Sequence, residues 1–409
     1  MDNQFSNQTK IIIITSYFLI VIITEILYRE PLKNLSTKFI EFLQDKLNNT
    51  VTRIFFSLIT YFGSEKILIP IVVIFLFFNP LIYFYYLIFS IITSTYFASI
   101  LKLIYTDFRP FWDDNKISPI INCDMGYGNP SGHSLVSTVT YLGLWKLLQK
   151  NRINKKRMNS LTILSIMIVI IFLIMFSRIF GGVHNLNQIL FGFLLGFGMF
   201  FTYFNLYKFY NKEPEMFFIF IEENKIILNI IFISLYLISI PIYFIVNDTK
   251  YRNQYYEQIK LKCGSDKIPP EHKQFSNEGF KGTSLMIALI GILNGLLYSK
   301  YKMKIKFPQK EYIIMNDWHN LDYKNKINQF LIMGLFCLPG LIFLLIPSCF
   351  HISIIMLFKY NISFLIIGFC FFGPGMYFGF LKIFKDEDKN IENIEKVINT
   401  SVGGFSTDD

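Results

Sequence analysis

The chain has 409 residues, of which 53% are hydrophobic and 18% aromatic, and only 17% carry charge. No single core of a soluble protein this long could hold so much apolar surface, and several runs exceed the ~18–20 apolar residues that cross a bilayer; a soluble enzyme is excluded. The formal net charge of +10 sits in short basic runs between apolar segments, which is the pattern of membrane topology. No nucleic-acid partner is expected, and the lipid bilayer is the first partner.

In chain order, residues 11–28 form the first apolar run. Only Lys10 is basic before it, and no small-residue cleavage site follows, so it reads as a retained span and not as a signal peptide. Residues 33–49 set Leu35, Phe39, Ile40, Leu43 and Leu47 at helical spacing among charged groups, which predicts a separate helix lying on the membrane surface. Further spans are expected at 65–78, 81–104, 132–148, 160–180, 186–207, 226–246, 283–299, 329–348 and 361–383. Asn79-Pro80 separates the second from the third, and the short second span can begin as early as Ile54. The polar tail from Lys385 onward reads as a mobile cytosolic end. The expected fold is therefore all-α and polytopic, with about ten spans.

Two basic loops orient these spans. Lys150, Arg152, Lys155, Lys156 and Arg157 fall in one, and Lys300, Lys302, Lys304, Lys306 and Lys310 in the other; both are expected in the cytosol. Cys337, Cys349 and Cys370 lie in apolar runs and read as small packing residues. Cys123 and Cys263 lie in polar segments on the opposite, non-cytosolic side, where they form a disulfide or stand as two unpaired cysteines. Asn34, Asn48 and Asn247 begin glycan-acceptor sequons on that same side.

Three segments carry chemistry, and the span count gathers them on the non-cytosolic side: Lys102-Leu-Ile-Tyr-Thr-Asp-Phe-Arg109-Pro110, Pro130-Ser131-Gly132-His133, and Ser177-Arg178-Ile-Phe-Gly-Gly-Val-His184. Taken singly, each has a structural reading. Lys102 and Arg109 can snorkel to headgroups, His133 can be interfacial, and Arg178 with His184 can be a polar contact between spans. Taken together, they place two Arg, one Lys and two of only five His at membrane depth, where charge is costly. A phosphate dianion asks for such a set: guanidinium forks, an ammonium and backbone N–H groups at a helix mouth, here Ser131-Gly132. One imidazole can then attack phosphorus while a second protonates the leaving oxygen.

In this order, Lys-x6-Arg-Pro, Pro-Ser-Gly-His and Ser-Arg-x5-His resemble the signature of the type 2 phosphatidic acid phosphatase and haloperoxidase superfamily. The resemblance covers residues 102–188 and implies a six-span phosphatase core over 1–210, a four-span membrane extension over 211–384 and a tail over 385–409. It implies that Lys102, Arg109, Ser131, Gly132 and Arg178 bind phosphate, His133 is the general acid, His184 forms a phosphohistidine, and no metal or other cofactor is used. Lipid-phosphatase relatives carry His-x3-Asp, whereas here the run is His184-Asn-Leu-Asn-Gln188. Glucose-6-phosphatases resemble the chain at that Gln and at the aromatic run Arg109-Pro110-Phe111-Trp112, where Phe111 and Trp112 can stack on a sugar face or anchor at the interface. Phe62-Gly63-Ser64 and Met125-Gly126-Tyr127-Gly128-Asn129 look instead like the sphingoid-base and lipid phosphate phosphatases. The resemblance thus implies a phosphorylated small-molecule or lipid substrate, with glucose 6-phosphate leading and sphingosine 1-phosphate or phosphatidate as alternatives, and an endoplasmic-reticulum or other endomembrane location with the site facing away from the cytosol. An inactive binding or transport protein on the same scaffold is the reading from another class.

Overall fold

The computed structural model describes residues 6–79, 81–150, 160–207, 214–264, 274–306, 321–345, 353–379 and 381–382. The elements follow the apolar runs. Helix α1 (Asn7–Leu47) is succeeded by α2 (Thr50–Phe62), α3 (Glu65–Phe78), α4 (Leu81–Tyr105), the short α5 (Pro110–Asp113), α6 (Gly132–Lys150), α7 (Ser160–Phe180) and α8 (Leu186–Phe201), which runs on through a π-helical turn to Tyr207. Then come α9 (Pro214–Glu223), α10 (Lys225–Ile245), α11 (Asp248–Cys263), α12 (Gln274–Thr283), α13 (Leu285–Lys306), α14 (Tyr323–Leu345) and α15 (Ser353–Cys370). Among the described residues, eight helices are long and apolar enough to cross a membrane, and the pair α2–α3, bent by 56°, makes a ninth. The fourth expected span is α6, a more polar helix sheathed by α4, α7 and α8. The chain is a multi-pass integral membrane protein.

The surface helix expected over residues 33–49 is not a separate element. It is the second half of α1, whose 41 residues reach ~60 Å, about twice a hydrocarbon core. Apolar spacing cannot tell a face laid on lipid from one laid on protein, and here the partner is protein. Ser36, Ile40, Leu43 and Gln44 are buried. Gln44 Nε2 donates to the carbonyls of Ser118 (2.9 Å) and Phe180 (3.1 Å), and Ser36 Oγ donates to Asn185 Oδ1 at 2.9 Å. This half of α1 roofs the end of the bundle where α4 and α7 finish and α6 and α8 begin.

The segment between α10 and α13 closes the same end. Helix α12 lies so close to α4 that a Cβ on Gly282 would stand 2.8 Å from Ser99 Cβ. Tyr127 Oη donates to Asp248 Oδ1 at 2.7 Å. Cys123 and Cys263 form a disulfide, so the bridged alternative holds. Trp112 is fully buried against Phe275, ring centroids 4.5 Å apart, with Tyr255 and Tyr127 at 6.3 Å; Phe111 is fully buried too. These two rings are neither a sugar platform nor an interfacial anchor. They form the apolar joint between the core and α11–α12.

Residues 151–159, 208–213, 346–352 and 383–409 lie outside the described residues. They hold most of the first basic loop, the 210/211 boundary, Cys349 and the polar tail; Lys310 also falls outside.

Close helix approach brings α6 and α8 together. On α8, Gly192 and Gly196 repeat at the four-residue spacing that lets membrane helices touch through backbone. A Cβ on Gly196 would fall 2.6 Å from Leu135 O, and one on Gly192 2.5 Å from Ser131 O. Gly196→Val is therefore expected to wedge α8 from α6 and destabilise the protein by about 1–3 kcal/mol. Thermal unfolding in a fixed detergent checks this, and an unchanged Tm would contradict the contact.

Candidate active site

Local sequence sets each group in place. Thr106 turns out of α4 with a φ of +46°, a left-handed conformation that is strained for a β-branched residue and is found where function overrides it. Pro110 opens α5 and leaves Arg109 in extended backbone at φ −87°, ψ 150°, since a residue before proline avoids the helical region. Asn185 and Gln188 form a reciprocal capping box at the start of α8. Arg178, in the last turn of α7, is completely buried.

Arg109, Arg178 and His184 converge. Arg109 Nε donates to Gly126 O at 2.6 Å, and its Nη1 donates to Val183 O at 3.0 Å and lies 3.3 Å from His184 Nε2. Arg178 Nη1 donates to Asn122 Oδ1 at 3.4 Å, while its buried Nε has no hydrogen-bond partner among the described residues. Between the guanidiniums stands Asp124, whose Oδ2 accepts from Arg109 Nη1 at 3.3 Å and from Arg178 Nη2.

On the far side of the imidazole, His184 Nδ1 lies 3.0 Å from Gln188 Oε1, which also accepts the Asn185 N–H at 3.3 Å. Gln188 Nε2 donates to Asp107 Oδ2 at 3.0 Å and to Phe108 O at 2.7 Å. A carboxylate and a carbonyl offer no proton, so the amide can sit in only one orientation, with its oxygen toward His184. That oxygen selects the Nδ1–H tautomer and leaves the Nε2 lone pair facing Arg109. Burial, together with the positive charge of Arg109, Arg178 and Lys102, holds the His184 pKa well below the ordinary histidine range. The imidazole is neutral, as a nucleophile must be.

The remaining predicted residues line the same end. Lys102 Nζ lies 3.8 Å from where a Cβ would sit on Gly132, at the mouth of α6. The His133 ring packs at the α2–α3 bend, its Cδ2 3.1 Å from the Cβ position of Gly63. Ser131 differs from expectation. Its N–H, predicted to face an anion, donates to the Gln188 backbone carbonyl at 2.9 Å, because the entry of α6 is stitched to α8.

Sequence reasoning missed three acids here. Asp107 lies inside the Lys-x6-Arg motif; an acid two residues before the Arg, in a chain whose His-x3-Asp carboxylate is replaced, was the available signal. Asp124 follows Cys123 and carried no signal of its own. Glu25 is fully buried in α1, pairs with Arg29 Nε at 2.8 Å and accepts from Asn129 Nδ2 at 2.9 Å; a lone acid in an apolar run was visible but passed over. The glycine-rich run before Pro130 also gains a reason. Gly126 offers its carbonyl to Arg109, and a Cβ on Gly128 would stand 2.6 Å from both amide atoms of Gln188.

The arrangement can hold a tetrahedral oxyanion between two guanidiniums while an oriented, neutral imidazole faces it. The PAP2 superfamily model matches residues 83–212, a range that contains every motif residue from Lys102 to His184. No curated protein matches the chain. Among solved structures, the chain is similar to the crystal structure of the first transmembrane PAP2 type phosphatidylglycerolphosphate phosphatase from Bacillus subtilis, with 23% identity, a TM-score of 0.40, and coverage of 46% of this chain and 92% of that one. Over the segment that builds this site, the chain matches the PAP2 superfamily model, within a polytopic all-α membrane protein.

Proposed function

We propose that this membrane phosphatase hydrolyses phosphate monoesters through a phosphohistidine, without a metal, at a site facing away from the cytosol, and that its substrate is a sugar phosphate of the glucose 6-phosphate type. The observation that carries the reading is the His184 imidazole, fixed between Gln188 and the Arg109 guanidinium. In this scheme the phosphoryl group binds Arg109, Arg178, Lys102 and the N-terminal turn of α6 from Gly132 onward, the Ser131 N–H being held by Gln188. His184 Nε2 attacks phosphorus, the P–O ester bond breaks, and His133 delivers a proton to the departing oxygen. His133 then takes a proton from water, whose oxygen attacks phosphorus, breaks the P–N bond and releases inorganic phosphate. The orientation rests on the basic loops, and glycan attachment at Asn34, Asn48 or Asn247, not at Asn7 or Asn399, is expected with it.

Phosphorylation at Nε2 leaves positive charge on the imidazole. Relatives with His-x3-Asp meet it with a carboxylate one hydrogen bond away. Here Gln188 is neutral, and Asp107 stands one hydrogen bond further back, polarising the amide whose oxygen faces His184. The substrate reading rests on the glucose-6-phosphatase-like Gln188 and on the roof that α1 and α11–α12 lay over the site, which favours a polar leaving group reached from water over an acyl tail reached from lipid.

His184→Ala is expected to abolish turnover and the acid-labile phosphoenzyme. His133→Ala should slow poor leaving groups far more than nitrophenyl phosphate, because a good leaving group needs little protonation. Rapid-quench labelling with radiolabelled substrate separates the two, and a phosphoenzyme persisting in His184→Ala would remove it as nucleophile.

The second expectation concerns the relay. Gln188→Asp puts a carboxylate against both Asp107 and the Phe108 carbonyl, so it should lose about tenfold or more in kcat/KM, ~1.4 kcal/mol. Adding Asp107→Asn should recover much of that loss, because the amide then at position 107 can donate where Gln188 did. If the double variant is no better than Gln188→Asp alone, Asp107 does not act through position 188.

The third is a direct substrate comparison in matched detergent. Glucose 6-phosphate should be hydrolysed faster than sphingosine 1-phosphate or phosphatidate. A lipid phosphate ahead by about tenfold in kcat/KM, ~1.4 kcal/mol, reverses the substrate and leaves the phosphohistidine chemistry standing.

A further inference from the structure

The Arg109–Arg178 clamp is already holding an anion. The side chain of Asp124 is 29% exposed, against 3% for Arg109 and 0% for Arg178, so the carboxylate comes onto the guanidiniums from the outer side. One oxygen, Oδ2, serves both arginines, and the other accepts Asn122 Nδ2 at 2.6 Å. A single oxygen shared by two guanidinium forks is the arrangement expected of one oxygen of a bound phosphate. The acid belongs neither to α4 nor to α7. It sits on the segment between α5 and α6, beside the Cys123–Cys263 disulfide that ties this segment to α11. Arg109 and Arg178 overcome the effect of burial and hold the Asp124 carboxyl well below the usual carboxylate range. It is ionised throughout physiological pH.

We propose that Asp124 is a resident counter-anion in the Arg109–Arg178 clamp, displaced by a phosphate monoester dianion but not by a monoanionic phosphodiester, so that it determines which phosphate esters enter. This rests on the phosphatase reading above. The physical basis is competition. Without Asp124, two buried guanidiniums and the nearby Lys102 would take any small anion. With it, an incoming group must outdo a tethered carboxylate of one negative charge. A monoester brings ~1.5–2 negative charges and three terminal oxygens, enough to engage both forks and the unpartnered Arg178 Nε together. A diester brings one charge and two such oxygens, and gains little over Asp124. Once displaced, the carboxylate keeps its Asn122 hydrogen bond and remains close by on its bridged segment.

The test uses full-length purified protein and the near-isosteric Asp124→Asn. Inorganic phosphate and dimethyl phosphate are the probes, each measured as a competitive inhibitor of nitrophenyl phosphate hydrolysis. Asp124→Asn is expected to bind inorganic phosphate roughly tenfold more tightly or better, as removal of a close charged competitor should allow. Dimethyl phosphate should be without effect on the wild type and inhibit the variant. Should Asp124→Asn fail to fold, Asn122→Ala releases the second carboxylate oxygen and should shift both inhibitors in the same direction by a smaller factor. Unchanged or weaker phosphate binding in the variant makes Asp124 a brace for the arginines and overturns the proposal while leaving the phosphatase reading intact. A wild type that neither turns over a phosphomonoester nor binds phosphate removes both.

Discussion

The Gln188 amide makes four hydrogen bonds, two to the His184-Asn185 turn and two to the Asp107-Phe108 turn. Its oxygen sets the His184 tautomer and helps cap α8; its nitrogen ties α8 to the turn that leaves α4 through Asp107 and Phe108. The backbone carbonyl of the same residue holds the entry of α6 at Ser131. Three spans are therefore registered against one another by one residue. The register matters because membrane helices gain little from apolar contact with each other, lipid being as apolar as their side chains. Polar groups with one satisfiable arrangement supply the specificity that burial cannot.

The same logic governs the charges. Two guanidiniums, an ammonium and a carboxylate gathered at the end of a helical bundle are tolerable only if each is paired or faces a wet cavity. Asp124 pairs both arginines, Asp107 takes the Gln188 amide, and Glu25 takes Arg29 and Asn129. The polar network is walled by aromatic packing around Trp112 and by the glycine contacts of α12 on α4. The C-terminal helices thus do more than add spans: α11 and α12 complete the wall of the site and hold, by disulfide, the segment that bears Asp124.

Much of this was legible in the sequence. Every apolar run among the described residues falls on a helix, because a 20-residue run has no alternative in lipid. The Lys-x6-Arg, Ser-Gly-His and Arg-x5-His motifs were legible because few structural purposes need Arg and His at those spacings. What was not legible depended on partners distant in the chain. The face of residues 33–47 is apolar whether it meets lipid or the 114–120 segment. Trp112 after Arg109 suits a sugar, an interface or a core equally, and only the arrival of Phe275 from α12 decides for the core. Asp107 was in view within the motif, but its link to His184 passes through a residue 81 positions away. The neutral Gln at 188 looked like a lost charge, and it is better described as a charge moved one hydrogen bond back.

The disulfide also sets an order of events during synthesis. Cys263 follows Cys123 by 140 residues, so at ~5–20 residues per second the earlier cysteine waits roughly 7–30 s for its partner to be made. During that interval α6, α7 and α8 are made and join α4, while the segment with Asp124 is tied only at its chain ends. A ribosome-bound intermediate of this protein therefore holds both arginines and both histidines before their outer wall exists. It also presents a lone thiol to any oxidoreductase or neighbouring chain. The enzyme is made open and is closed last.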